Sequence, residues 1–392
     1  MGTKRQLAPK IGSIIRDRST GPFLDVFSGL GTVAGQLAND RAVWLNDVSA
    51  FGATVANALY VKNECEHCNF GDKIFYKNYE THCRRLKARF QRIYDLECYL
   101  LSEGNLEIIE ALQSEMPYYK ANNELHDSWL NKYDYNLFSI GYSGTYFSLS
   151  QCIQIDSIRY AIDKCIRRCV GCSTCLSQYL TALCVAASKT SNSTGHFAQY
   201  LTPNSRNARR VISQWRRDVL SSFEVALAEL RGGSPVFKEN KVFCAEANEL
   251  LSNFRALGQS PGAIYADPPY TSDHYSRYYH VFETIIKYDY PNLSGKGRYR
   301  EGRFSSDFSI KTKAEVALSN LVSNAAALGS TFFLSYPSNG VIPGGIEKCI
   351  ALVSQVFART EVFTFDYAHS TMGASKGSSR NTVQENLLIG RL

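Results

Sequence analysis

The sequence lacks several features that would place it in a membrane, an export pathway or a fibrous class. No run approaches the roughly 18 consecutive apolar residues that a membrane span needs. The polar, basic start at residues 1–10 is not followed by the apolar core of a secretory signal. No internal repeat and no coiled-coil heptad is present. We therefore expect a soluble, cytoplasmic protein of two or three domains, or one α/β domain with a large insertion.

Charge and cysteine content leave two questions open. The net charge of +7 permits a polyanionic partner without proving one. The sequence has twelve cysteines, and two groups of them could supply the four ligands of a zinc site. These groups are Cys65/Cys68 and Cys165/Cys169/Cys172/Cys175. The same spacing also lines one face of a helix, and free cysteine buries well as a small hydrophobe. We expect no metal, with structural zinc as the alternative.

The segment Ala263–Tyr270, with the sequence AIYADPPY, carries the clearest chemical signal. Its apolar run predicts a buried strand that stops at Asp267, because Pro268 cannot continue a ladder. Asp267 and Tyr270 then lie at a strand's carboxyl end, where ligands bind in open α/β sheets. A carboxylate beside a rigid turn and an aromatic ring suit the amino group of an extruded nucleobase. The alternative is an ordinary strand-to-loop junction with an Asp-initiated turn.

This segment resembles motif IV, DPPY, of the DNA adenine-N6 methyltransferases of the Dam type. The resemblance implies that Asp267 and the Pro268 carbonyl bond the target amine, that Pro269 completes the rigid turn and that Tyr270 stacks on the flipped adenine. The following residues, Tyr275–His280, are similar to the continuation found in a restriction-modification branch of that family.

A second signal lies at Pro22–Val33, where an apolar strand runs into a loop of small residues. Glycine allows backbone conformations and close approaches that a Cβ would block. A helix is expected from Thr32 to about Ala38. The glycine spacing is shorter than that of the dinucleotide fingerprint, so a nicotinamide cofactor is the poorer interpretation. The pattern resembles motif I of S-adenosylmethionine-dependent methyltransferases, which implies cofactor contacts from Asp25, Phe27, Gly29 and Gly31.

Three further residues complete the expected cofactor site. Asp47 follows the second strand and is placed to accept the cofactor's ribose diol; it could also be the N-cap of the next helix. The resemblance assigns Lys10 to the cofactor's carboxylate, although the aromatic residue and glycines that usually precede this lysine are missing. It assigns Glu246, in place of the usual aspartate, to the adenine edge. Asp267 also borders the cofactor.

Residues 61–232 interrupt the strand–helix alternation and read as a helical insertion. Two basic runs, Arg84–Arg92 and Arg206–Arg217, could face phosphates or simply be solvated helix faces. Residues 292–303 are glycine-rich and basic, and are expected to form a mobile loop. The resemblance places target recognition in the insertion. The candidate DNA contacts, there and after the DPPY segment, are Tyr146, Arg159, His196, Arg277, Lys296, Arg298 and Arg300.

These patterns predict an α/β fold, a Rossmann-like methyltransferase sheet with a mostly helical target-recognition insertion. The catalytic domain is expected at residues 1–60 and 233–392, and the insertion at 61–232. The implied function is methyl transfer from S-adenosylmethionine to adenine N6 in double-stranded DNA. A separately acting restriction endonuclease is a further expected partner, and no membrane is expected. The alternatives are a cytosine-N4 DNA or adenine-N6 RNA methyltransferase, or a non-catalytic nucleic-acid-binding protein.

Overall fold

The structure, a computed structural model, describes residues 4–61, 71–103, 112, 115–116, 134–166, 173–204, 206–233, 237, 239–271, 275–368 and 382–392. The chain divides into two compact units. The sheet unit comprises Met1–Lys62, Ser234–Ser276 and Phe304–Leu392, and the helical unit comprises Asn63–Gly233 and Arg277–Arg303. The segment Arg277–Arg303, which the sequence analysis assigned to the catalytic domain, thus groups with the helical unit.

The sheet unit contains one seven-stranded sheet with the order β3-β2-β1-β4-β7-β9-β8. The first five strands in that order are parallel, and β9 runs antiparallel to both neighbours. The strands are β1 (Phe23–Asp25), β2 (Val43–Asn46), β3 (Lys241–Phe243), β4 (Ala263–Ala266), β7 (Thr331–Pro337), β8 (Arg359–Ala368) and β9 (Thr382–Arg391). The predicted fold class, a mostly parallel Rossmann-like sheet, is confirmed.

Helices cover both faces of this sheet because successive strand residues point to opposite sides. Ile264 and Phe332 belong to one apolar core with α10 (Ala247–Ala256), α12 (Ala314–Ala327) and α13 (Gly345–Val356). Their neighbours Ala263 and Phe333 belong to the other core, with α1 (Lys4–Arg18) and α2 (Ala50–Tyr60). The strands β1, β2, β4 and β7 are therefore buried on both faces, which explains their continuous apolar runs, whereas β3 is partly exposed.

The helical unit is built from eight helices in the described part of the chain and one small hairpin. Two buried carboxylates organise the helix starts: Glu97 accepts the backbone N–H of Leu149 at 2.6 Å, and Asp156 accepts that of Ser139 at 2.8 Å. The helices are α3 (Gly71–Arg89), α4 (Gln91–Glu103), α5 (Leu137–Gly141), α6 (Leu149–Ile166), α7 (Ser173–Thr190), α8 (Ala208–Trp215), α9 (Val219–Arg231) and α11 (Ser276–Lys287). The hairpin strands are β5 (Leu293–Ser294) and β6 (Tyr299–Arg300).

Two local predictions were wrong. Residues 32–38 form turns around a short 3-10 helix at Ala34–Gln36, where Gly35 bonds back to Gly31, and not an α-helix. Residues 292–303 contain the β5–β6 hairpin, whose Arg298 and Arg300 are buried, and are not merely a loop.

The described residues contain neither a membrane-spanning helix nor a metal-binding group. No helix among them is long and apolar enough to cross a membrane. The same part of the chain holds no group of three or more His, Cys, Asp or Glu side chains arranged to bind a metal. Cys165 lies in α6 and Cys175 in α7, while Cys65, Cys68, Cys169 and Cys172 lie outside the described residues.

Candidate active site

The candidate site lies at the carboxyl edge of the sheet, where the strand order changes direction. The chain moves from β1 to β2 on one side, whereas β4 pairs with β1 on the other. Asp25 is in register with Tyr265, and the N–H of Val26 donates to the Tyr265 carbonyl at 3.0 Å. The turns that follow β1 and β4 therefore begin side by side, at the topological switch point where α/β proteins bind ligands.

The turn after β1 needs glycine at two positions for different reasons. Gly31 has φ +70°, and a Cβ there would lie 2.6 Å from Cε2 of Tyr60. Gly29 has φ +52°, is exposed, and a Cβ there would meet no protein atom within 4 Å. The backbone at Gly29 is therefore open for close approach by a ligand, as the expected cofactor site requires.

Asp47 closes this turn. Its Oδ2 accepts the N–H of Gly29 at 2.9 Å, and its Oδ1 accepts the N–H of Ser49 at 2.8 Å. The N-cap of α2 is Ser49, whose hydroxyl accepts the N–H of Gly52, so the alternative of Asp47 as N-cap is wrong.

Asn46 hydrogen-bonds the carboxyl ends of two neighbouring strands to its own strand. The sequence analysis did not identify this residue. Its buried amide donates to the carbonyls of Val26 at 3.0 Å and Ala245 at 3.1 Å, and accepts the N–H of Ala245. These bonds join the carboxyl ends of β1, β2 and β3. A single Asn at a strand end has no distinctive spacing, so no sequence signal identified it.

The remaining expected cofactor residues occupy the same edge. Phe27 packs edge-on against Phe308, with ring centroids 5.0 Å apart. Glu246 is exposed at the N-cap of α10, where it accepts the N–H of Glu249 at 3.0 Å. Asp25 is buried; burial, and then repulsion from Asp267, raise its pKa well above the ordinary value.

The turn after β4 presents the Asp-Pro-Pro-Tyr segment. Pro268 is buried, and Tyr270 packs partly buried against the core that contains Ile264. The Tyr270 carbonyl accepts the N–H of Val341 at 2.9 Å, which fixes the end of the turn. Burial raises the pKa of the Tyr270 hydroxyl, so the ring stays neutral.

Asp267 contacts a buried network that the sequence did not reveal. The Lys4 ammonium lies 3.3 Å from Asp267 Oδ1, donates to Ser335 Oγ at 2.7 Å and makes a short ion pair with Glu385. Burial raises the pKa of Asp267 to about 6, while Lys4 lowers it and Glu385 raises it. Burial also lowers the pKa of Lys4, but attraction to the two carboxylates leaves it above its ordinary value.

The lysine that α1 brings to the site is Lys4 and not Lys10, whose side chain is exposed. The two residues are six apart, which places them on different faces of the helix. A signal was present in the sequence, because Gly2 precedes Lys4 by two positions, whereas no glycine precedes Lys10 closely.

Four of the candidate DNA contacts are buried inside the helical unit. The Tyr146 hydroxyl donates to the Phe197 and Gly297 carbonyls. Arg159 pairs with Asp163 and bonds the Ile285 carbonyl. Buried residues among the candidates are Tyr146, Arg159, Arg298 and Arg300. Burial keeps these four side chains from an external partner, which argues against the predicted DNA contacts at Tyr146, Arg159, Arg298 and Arg300.

The other three candidates, Arg277, Lys296 and His196, are at least partly exposed. Lys296 is exposed, Arg277 stacks on the Tyr299 ring at 5.6 Å, and the His196 ring lies 4.9 Å from that of Tyr278. Arg303, which was not singled out in the sequence, stacks on the same Tyr299 ring at 4.9 Å. We call Arg277, Lys296, Tyr299, Arg303 and His196 the basic–aromatic cluster. Cations with aromatic rings are the side chains that bind phosphates and bases.

A mostly parallel sheet of this order, with a glycine turn after β1 and an Asp-Pro-Pro-Tyr turn after β4, defines a Rossmann-like methyltransferase domain. The chain belongs to the D12 class N6 adenine-specific DNA methyltransferase family, whose family model matches residues 1–331.

Similar curated proteins are longer than this chain. Modification methylase LlaI of Lactococcus lactis subsp. lactis is 24% identical over 99% of this chain and 54% of its own length. Modification methylase StsI of Streptococcus sanguinis is 25% identical over 87% and 44%, respectively. Type II methyltransferase M.FokI of Planomicrobium okeanokoites is 23% identical over 76% and 38%. The chain spans about half the length, or less, of these relatives. No solved structure matches it significantly.

Proposed function

We propose that this chain transfers a methyl group from S-adenosylmethionine to N6 of a flipped-out adenine in double-stranded DNA. The observation that carries the proposal is the position of Asp267 and Tyr270 at the switch point, beside the open turn at Gly29. Membership of an N6 adenine-specific family supports the choice of adenine over cytosine N4. We propose a cytoplasmic location, because a bacterial modification methylase, like the named relatives, meets its DNA in the cytoplasm.

The proposed chemistry depends on positioning at Asp267. The adenine amine is a weak nucleophile because its lone pair is delocalised into the ring. Hydrogen bonds from its two hydrogens to the Asp267 carboxylate and the Pro268 carbonyl favour a tetrahedral nitrogen with a localised lone pair, and Tyr270 stacks on the base. S-adenosylmethionine supplies an electrophilic methyl group on a sulfonium.

We assign the cofactor to the residues around the turn after β1. The backbone at Gly29 admits the cofactor, Asp47 accepts the ribose diol, and Glu246 lies at the end of the neighbouring strand for the adenine edge. Gly31 and Phe27 shape the turn, and the buried Asp25 supports it. The lysine that α1 brings to this edge is Lys4 and not the exposed Lys10, and its contacts are to Asp267, Ser335 and Glu385.

We assign DNA binding to the helical unit, through the basic–aromatic cluster and the exposed arginines of α3 and α8. In a restriction-modification system, a separate endonuclease would cut the unmethylated form of the same site. The relatives named as modification methylases make this context the favoured one.

Sequencing that detects modified bases tests this proposal in cells. DNA from cells expressing the wild-type chain should carry N6-methyladenine at one short recurring sequence, and the matched Asp267→Ala strain should not. Methylation confined to cytosine or to RNA, or equal methylation in both strains, would contradict the proposal.

A further inference from the structure

Glu385 and Ser335 form a polar pair that the chemistry proposed above does not use. Glu385 lies on β9 and Ser335 on the adjacent β7, where the Ser335 hydroxyl donates to Glu385 Oε1 at 2.7 Å. Both are buried, Glu385 to 6% exposure. A buried carboxylate is costly unless it is paired, and Glu385 is paired with Lys4. The Lys4 ammonium therefore neutralises the buried Glu385 carboxylate, and Glu385 in turn holds the ammonium in place.

Lys4 divides its ammonium between two carboxylates unequally. Its contact with Glu385 is the short one, whereas Asp267 Oδ1 lies 3.3 Å away. The third contact, to Ser335 Oγ at 2.7 Å, lies on the Glu385 side. Two hydrogen bonds, to Glu385 and Ser335, and the ion pair with Asp267 together fix the position of the ammonium. Lys4 is thus drawn towards β9 and remains beside Asp267.

We propose that Glu385, braced by Ser335, is a positioning residue that holds the Lys4 ammonium beside Asp267 without letting it occupy that carboxylate. An ammonium and the target amine compete for the same acceptor. If Lys4 paired fully with Asp267, the carboxylate would be a poorer acceptor for the adenine amine. With Lys4 drawn to Glu385, Asp267 keeps a nearby countercharge and an available oxygen. This inference rests on the proposed function of Asp267.

The groups that face Asp267 set the direction of the expected pH effects. Lys4 comes from α1, Glu385 from β9, Asp25 from β1 and Tyr265 from β4, with Tyr270 in the same turn. Lys4 lowers the pKa of Asp267 and Glu385 raises it. Removing Lys4 should therefore raise the pKa of Asp267, and removing Glu385 should lower it.

The test is the pH profile of methyl transfer to duplex DNA in matched variants. In Glu385→Gln, which keeps the shape, the acid limb should move down by about one pH unit and kcat should fall about tenfold. In Lys4→Met, the acid limb should move up by about one unit. The KM for DNA should barely change in either, because phosphate contacts supply most of the affinity. Ser335→Ala should show the Glu385→Gln shift in weaker form.

Glu361→Gln is the matched control, because Glu361 lies on β8 in ion pairs with Arg18 and Arg391, away from Asp267. Its acid limb should match that of the wild type. A purely structural role for Glu385 predicts lower activity with an unmoved acid limb in Glu385→Gln and Ser335→Ala, and this result would overturn the proposal.

An activity-independent readout separates this inference from the proposed function. The carbon-13 NMR titration of the Asp267 carboxyl, assigned by its loss in Asp267→Asn, should show the same opposite shifts in Glu385→Gln and Lys4→Met. If the wild type transferred no methyl group, the proposed function would fail while the titration still decided the positioning role. An Asp267 titration unmoved in Glu385→Gln would refute it.

Discussion

The residues at the end of β4 shift the pKa of Asp267 in opposite directions. In the proposed chemistry, Asp267 must remain a carboxylate in order to accept hydrogen bonds from an amine, yet burial and the neighbouring Glu385 favour its protonated form. Lys4 is the charge that offsets them. A site of this kind tunes an acceptor by burial and by a countercharge together, and perturbed ionisation of this sort is typical of functional sites.

The pH dependence of methyl transfer follows from this balance. The pKa of Asp267 is raised to about 6, so the carboxylate is present above that pH and is lost as the pH falls through it. We expect kcat/KM to be constant from about pH 7 upwards and to fall about tenfold for each unit below 6. A profile measured with duplex DNA at constant ionic strength checks this. An acid limb near 4, the ordinary aspartate range, would contradict the burial argument.

Gly31 and Gly29 make a matched pair for testing the turn after β1. Gly31→Ala combines a left-handed backbone with a contact 2.6 Å from Tyr60, and should lower the free energy of unfolding by about 3 kcal/mol. Gly29→Ala meets no neighbour and should cost only about 1 kcal/mol. Urea unfolding measures both. Equal losses would mean that Tyr60 does not restrict the turn.

At the scale of elements, the β5–β6 hairpin shows how a basic segment can serve two purposes. The Arg300 guanidinium, 4% exposed, makes two parallel bonds to Asp289 at 3.0 and 2.6 Å. Lys296, at the tip of the hairpin, is exposed. One cation therefore holds the element together while the other is available to a partner.

Substitutions of Arg300 and Lys296 should separate the contribution to stability from the contribution to DNA binding. Arg300→Ala should lower the free energy of unfolding by about 2 kcal/mol, because a charged, bidentate hydrogen bond is lost. Lys296→Ala should leave unfolding unchanged and reduce the slope of log affinity for duplex DNA against log salt by about one. Urea unfolding and binding titrations at several salt concentrations measure the two effects. Loss of stability in Lys296→Ala, or an unchanged salt slope, would contradict this division.

Elements whose signal is local could be predicted closely. The strand Ala263–Ala266 ends directly before Asp267, as its sequence indicated. It is an apolar run that ends at a turn former. The hairpin was missed because its Gly-Lys-Gly sequence reads as a loop, while the burial of Arg300 depends on Asp289, eleven residues earlier.

The same contrast between local signals and contacts of distant residues applies to the candidate site. Asp267, Tyr270 and the glycine turn were found because each belongs to a short motif at the end of a strand. Ser335 and Glu385 were missed because they lie 50 positions from each other and more than 300 positions from Lys4. No periodicity or spacing encodes a contact made only by the folded sheet, and the sole signal for Lys4 was the glycine two positions before it.

At the scale of the whole molecule, the residues of the proposed chemistry and those of the proposed DNA recognition belong to different units. The sheet unit is assembled from three segments, and the residues of the proposed chemistry come from all three of them: Lys4, Asp267 and Glu385. The helical unit is assembled from two segments, the second of which begins seven residues after Tyr270. The segment Arg277–Arg303 of the helical unit therefore follows the Asp-Pro-Pro-Tyr turn closely along the chain.

Methyl transfer to unmethylated duplex DNA, followed by mass spectrometry of the nucleosides, tests the central claim most directly. The wild-type chain with S-adenosylmethionine should yield N6-methyladenine as the methylated nucleoside. Asp267→Asn, which keeps the shape but loses the carboxylate, should reduce the yield at least about a hundredfold with little change in unfolding or DNA affinity. Methylcytosine as the product, or N6-methyladenine formed equally well by Asp267→Asn, would contradict the account.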